Sequence, residues 1–161
     1  MGETYRDFLL DAYYQNHPTS IPEFLKVVED IMGKGSLLEL HRFCCQKYGL
    51  PKIGTSRVTY LSKFVVFKVP VTLDGFRNND WEASLCGIGE EGTDYHIPLA
   101  RSRHLPHQDI PVVVMERITE ASISDILEKL GKIPDFVSAV DSAQVGFTRK
   151  GKLVAFDYAD L

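Results

Sequence analysis

Apolar and polar positions follow two rhythms along this chain, helical first and strand-like later. Thr4-x-x-Asp7 opens a segment that places Phe8, Leu9, Ala12 and Tyr13 on one face. Ser20-Ile-Pro-Glu23 reads as a capping box with proline in the first turn. Phe24, Leu25, Val28, Ile31 and Met32 follow at helical spacing until Gly33 and Gly35. Ser36-Leu-Leu-Glu39 reads as a second capping box, continued by Leu37, Leu40, Phe43, Cys44 and Tyr48 and stopped by Gly49 and Pro51. Three short helices with tight joints predict a helical N-terminal subdomain over residues 1–52.

Near residue 54 the period becomes two. Arg57–Leu61 and Phe64–Val71 are rich in Val, Phe, Thr and Tyr, and Ser62-Lys63 between them predicts a β-hairpin. A loop over Thr72–Phe76 and a short helix at about Asn79–Leu85 come next, then loop-like residues 87–96. Ile110–Ile118 reads as a strand buried on both faces until its polar end. Ser122 caps a helix carrying Ile123, Ile126, Leu127 and Leu130, closed by Gly131. Gln144–Thr148 and Leu153–Tyr158 form a second hairpin around Gly151. The fold class is α+β, an antiparallel sheet with packed helices.

Composition excludes classes without naming an activity. The chain has 161 residues, 44% apolar, and its 9 Phe, 7 Tyr and 1 Trp argue against disorder. Apolar runs reach only four residues, as in Phe64–Phe67, too short to cross a bilayer. The N-terminus shows no signal segment. A net charge of −4 gives no global footprint for nucleic acid or acidic lipid. Cys44, Cys45 and Cys86 are odd in number, with two adjacent and no Cys-x-x-Cys pair, which points to a reduced compartment, the cytoplasm.

Three residues break their local pattern. Lys68 lies inside Phe64-Val-Val-Phe-Lys-Val. A mid-strand lysine either snorkels from an edge or meets a partner, because an unpaired buried ammonium is prohibitive. Glu82 is either the last residue of a capping box begun by Asn79 or the partner of Lys68. Asp157 ends the apolar strand Leu153-Val-Ala-Phe, where a carboxylate can cap a turn or hold a divalent cation against phosphate. The hairpin should bring Gln144 beside Asp157, with Asp141 just upstream. Arg101-Ser-Arg-His104-Leu-Pro-His107-Gln-Asp109 offers a conceivable metal set, but Pro106 prevents a helix from aligning both imidazoles, and a solvated basic loop fits better. Such a loop could contact an acidic partner. Tyr5, Tyr13, Tyr14 and Tyr48 read as packing residues, because few cations interleave with them.

Taken in order, these segments resemble the protein-kinase-like fold, including its aminoglycoside and small-molecule phosphotransferase branch. Val65-Val-Phe-Lys68-Val is similar to the family's third-strand lysine motif, and Glu82 to its lysine-pairing glutamate. Pro111–Ile118 is similar to the fifth strand and hinge, which implies that a nucleotide base meets backbone groups of Met115 to Arg117. Gln144-Val-Gly is similar to the end of the catalytic loop, and Leu153-Val-Ala-Phe-Asp157 to the Asp-Phe-Gly segment. The resemblance covers about residues 54–161 and implies ATP and Mg²⁺ as cofactors, with Gln144 and Asp157 on the metal.

The departures shape the functional expectation. Only Gly54 remains of a glycine-rich phosphate loop, and Ala139 stands where the catalytic aspartate normally lies, leaving Asp141 as the nearby candidate base. Residues 53–161 accommodate the nucleotide-facing sheet and no substrate-presenting lobe. The expected function is therefore a degenerate kinase-like protein, a pseudokinase, binding another protein as an inhibitor or regulator. Trimmed chains directed at host machinery among bacteriophage products supply the analogy. The alternative is an active ATP- and Mg²⁺-dependent phosphotransferase using Lys68, Glu82, Asp141, Gln144 and Asp157. Neither a membrane nor a nucleic acid is the expected partner.

Overall fold

The computed structural model describes Tyr14, residues 18–85, Ala100, residues 102–104, His107, residues 109–140 and residues 144–156, with only the backbone for 83–85 and 102–104. Four α-helices occur among the described residues, α1 (Ile21–Met32), α2 (Ser36–Tyr48), α3 (Leu73–Leu85) and α4 (Ile123–Leu130). Strands β1 (Lys52–Ile53), β2 (Arg57–Leu61), β3 (Val65–Pro70), β4 (Ser102–His104) and β5 (Val113–Glu116) form an antiparallel sheet ordered β1-β2-β3-β5-β4. A second antiparallel sheet is ordered β6-β7-β8, from β6 (Thr119–Glu120), β7 (Val145–Phe147) and β8 (Leu153–Ala155). The class is α+β. No helix of the described residues is long and apolar enough to cross a membrane.

Local signals explain most of these elements. Ser20 caps α1 by accepting from the Glu23 amide at 3.3 Å, and Glu23 reaches back to Thr19. Ser122 and Asp125 form a complete capping box on α4, closed by left-handed Gly131. The second expected capping box is absent. α2 begins at Ser36 itself, its N-cap is Gly35 without a side-chain bond, and Glu39 instead reaches Arg42 at 3.6 Å.

The predicted loop over 72–76 also gives way to helix. The Thr72 hydroxyl accepts from the Gly75 amide and the Thr72 carbonyl from the Phe76 amide, both at 3.2 Å, so α3 starts at Leu73. Asn79 is consequently mid-helix and is not a cap. The strand expected over 110–118 shortens to β5 at both ends; at its start Pro111 has no N–H to give a ladder. Part of the expected basic loop is strand as well, since 102–104 pair with Val113–Met115.

Each face of the main sheet has a distinct cover. Tyr14, Phe24, Val27, Val28, Leu38 and Cys45 from the N-terminal region share one core with Val58, Tyr60, Val69 and Val112. The opposite face carries Arg57 and Lys68 toward α3. Val66, Ala100 and Met115 pack with Val154, joining the two sheets, and the Ala100 amide donates to the Ala155 carbonyl at 2.8 Å.

Candidate functional site

The site grows from the register of β3. Lys68 pairs with Thr59 on one side and Val113 on the other, so it sits on a central strand with no edge to escape from. The snorkelling alternative fails for that reason, and Lys68 is 5% exposed. Its ammonium lies 3.2 Å and 3.1 Å from the two carboxylate oxygens of Glu82, and it also donates to the Phe156 carbonyl at 2.5 Å.

α3 supplies the acceptors. Asn79 and Glu82 stand three residues apart, hence on one helical face, and both are fully buried. Arg57, the first residue of β2, donates to Glu82 Oε1 at 2.9 Å and to Asn79 Oδ1 at 3.0 Å. The Asn79 amide nitrogen donates onward to the carbonyls of Lys68 at 2.9 Å and Pro111 at 2.6 Å. Three chain segments therefore meet on two side chains of one helix.

Electrostatics favours the ionised carboxylate. Burial alone would push Glu82 upward, but Lys68 and then Arg57, each with a hydrogen bond to it, hold it below the usual carboxylate range. Two cations thus share one buried carboxylate.

The remaining predicted residues fall in several places. Gln144 is half-buried, accepts from the Phe156 amide through its carbonyl at 3.2 Å, and helps to line a cleft of about 400 Å³ with Glu120, Ser122 and Ile126. Its backbone is thus one hydrogen bond from the residue that receives Lys68. Met115 is 1% exposed within the inter-sheet core. The Arg117 amide donates to the Phe64 carbonyl at 3.0 Å and one guanidinium nitrogen to the Ser62 carbonyl at 2.8 Å, so the amide is spent on the β2–β3 turn and the guanidinium is anchored there. Ala139 ends a 3-10 turn (Asp135–Ala139) and packs against the core around Val137 and Val140. Asp141 and Asp157 lie outside the described residues, as do Cys86, Arg101 and the segment around Thr4. His107 is exposed and bridges to Ile110, and no three metal-ligating side chains gather among the described residues.

A second buried polar group lies behind the sheet. His41 Nε2 faces the Pro70 carbonyl at 2.8 Å, which can only accept, so Nε2 carries the hydrogen. Nδ1 must then accept from the Tyr60 hydroxyl at 2.7 Å, leaving the Cys45 thiol, 3.6 Å away, to donate to that oxygen. Burial lowers His41 to about 4, with the Pro70 contact opposing, and raises the Cys44 thiol to about 11. These thiols are inert packing groups rather than nucleophiles.

Sequence reasoning singled out Lys68 and Glu82 but missed Arg57 and Asn79. The available signal was an arginine entering a strand of Val, Thr and Tyr, with no acidic residue nearby in sequence. Comparison with family models, curated proteins and solved structures finds no match.

Proposed function

We propose that this chain is a minimal, degenerate kinase-like protein that acts as a protein-binding module. The observation that carries the reading is how Lys68 is occupied. An ammonium has three hydrogens, and here it meets both oxygens of Glu82 and the Phe156 carbonyl. In a phosphotransferase the same ammonium must donate to a nucleotide phosphate. A phosphate would have to displace a contact that the protein already makes.

The kinase-like part is supported by a lysine on the third strand, a glutamate at ion-pair distance on the next helix, and the last described hairpin closing on the lysine. The binding part is supported by what surrounds them. Arg57 adds a second cation to Glu82, the Arg117 amide is engaged, and Ala139 stands in place of a base. The cluster thus works as a strut holding α3 to the sheet. Large apolar side chains stand exposed on the helices, including Phe43 at 58%, Leu73 at 62% and Ile123 at 49%.

The test is thermal unfolding with and without ATP and Mg²⁺, for wild type and Lys68→Met, together with a labelled-phosphate transfer assay. The expected result is no nucleotide-dependent rise in Tm and no transfer. A ligand that bound only the folded state would raise Tm by mass action. A rise with phosphate transfer, lost in Lys68→Met and in Asp141→Asn, establishes the ATP- and Mg²⁺-dependent phosphotransferase instead.

A further inference from the structure

Two hairpin tips meet at one aromatic ring. The β2–β3 turn carries Lys63 and Phe64, and the β7–β8 turn carries Arg149 and Lys150. The Lys63 ammonium lies 5.1 Å from the centre of the Phe64 ring, and the Arg149 guanidinium carbon lies 4.5 Å from the same centre. Arg117 is bonded to this turn through both its amide and its guanidinium. Lys63, Phe64, Arg117, Arg149 and Lys150 are all exposed. Among the described residues none of these four cations makes an ion pair with a carboxylate. The neighbouring Glu116, opposite Val65, is half-buried.

Cations concentrated with no paired carboxylate among the described residues repel one another. The Phe64 ring offsets part of that repulsion by attracting two of them. An external anion bridging Lys63, Arg149 and Arg117 would offset more. A nucleic acid fits poorly, because the only aromatic ring at the tips is already engaged by two cations and offers no free face for stacking a base. A carboxylate-bearing segment of a protein fits better, since guanidinium groups receive carboxylates in paired hydrogen bonds.

We propose that the joined tips of the β2–β3 and β7–β8 hairpins dock an acidic peptide segment of the partner protein. This rests on the binding-module reading and names the chemistry of its partner. The probes are a fluorescein-labelled octaglutamate peptide, the matching octaglutamine peptide, and an eight-nucleotide oligothymidylate, followed by anisotropy without nucleotide. Octaglutamate is expected to bind at low salt and to weaken as salt rises, whereas octaglutamine is not. The Lys63→Gln/Arg149→Gln variant should bind octaglutamate at least tenfold more weakly with an unchanged Tm, and Arg149→Lys should retain part of the affinity. Undetectable octaglutamate binding, wild-type affinity in the double variant, equal binding of octaglutamine, or tighter binding of oligothymidylate would each overturn the proposal. These outcomes are independent of the ATP and phosphate-transfer assay, so either proposal can fail alone.

Discussion

Arg57 and Glu82, which are 25 residues apart, meet at 2.9 Å on the same carboxylate oxygen that lies 3.2 Å from Lys68. The carboxylate is thus shared, and the consequences of removing each group differ. Glu82→Gln leaves two buried cations facing a neutral amide and is expected to destabilise the fold by about 3–5 kcal/mol. Lys68→Met leaves Glu82 paired with Arg57 and should cost clearly less. Urea denaturation of both variants tests the order; a Glu82→Gln protein as stable as Lys68→Met contradicts a shared carboxylate.

Asn79 gives a sharper test, because its two ends do different things. Its oxygen accepts from Arg57, and its nitrogen donates to the carbonyls of Lys68 and Pro111. Asn79→Ala should cost about 2–4 kcal/mol, as buried polar groups lose their partners. Asn79→Asp keeps the acceptor for Arg57 but turns a carboxylate oxygen toward two carbonyls. It is therefore expected to be at least as damaging as Asn79→Ala, despite near-identical shape. Thermal unfolding of the pair decides this, and a mild Asn79→Asp would show that the bond to Arg57 dominates.

What was legible in the sequence was local. The Ser20 and Ser122 caps, the two hairpins and the anomaly of Lys68 all follow from residues a few positions apart. α3 was half hidden because its first two turns contain Gly75, Asn78 and Asn79, weak helix formers held in place by tertiary bonds. Ser36 and Glu39 matched a capping box, yet the helix starts one residue too early for Ser36 to cap it. Arg57 has no local signal, and Asn79 reads locally as a cap, because their meaning depends on β2, β3 and the 111 segment converging. Nor does an amphipathic helix specify its cover, so the packing of α1 and α2 on the back of the sheet had no local signature.

Acid stability reports on the back of the sheet. His41 has an ordinary value of 6.5 and is lowered in the fold to about 4. The unfolded chain therefore binds the extra proton first. The contribution is fully present above about pH 6.5 and is lost as pH falls toward 4, by on the order of 3 kcal/mol. Glu82, also held below its ordinary value, contributes stability above about pH 4.5 that is lost at more acidic pH, so its window lies below that of His41. Denaturation at pH 7.5, 6 and 5 of wild type and His41→Gln isolates the histidine: the difference between the two proteins should narrow or reverse on acidification. A difference independent of pH would mean that His41 does not titrate across folding.

The approach of α3 to the sheet is set by one glycine. A Cβ built on Gly75 would overlap the Ser56 carbonyl and lie 3.0 Å from Pro70 Cβ, with backbone on both sides and no flexible side chain to yield. Gly75→Ala must therefore push the first turn of α3 away from β3, and Asn79 and Glu82 lie one and two turns further along that helix. The expected cost is about 2–4 kcal/mol, in the range of overpacked cores or broken buried networks. Gly35 is the contrasting control, because nothing lies within 4 Å of its Cβ position and its backbone is extended, so Gly35→Ala should cost no more than the loss of a glycine N-cap, about 1 kcal/mol or less. Urea denaturation of Gly75→Ala and Gly35→Ala checks the contrast. If Gly75→Ala is as mild as Gly35→Ala, α3 has slack, and the tight seat argued for the Lys68–Glu82 strut is wrong.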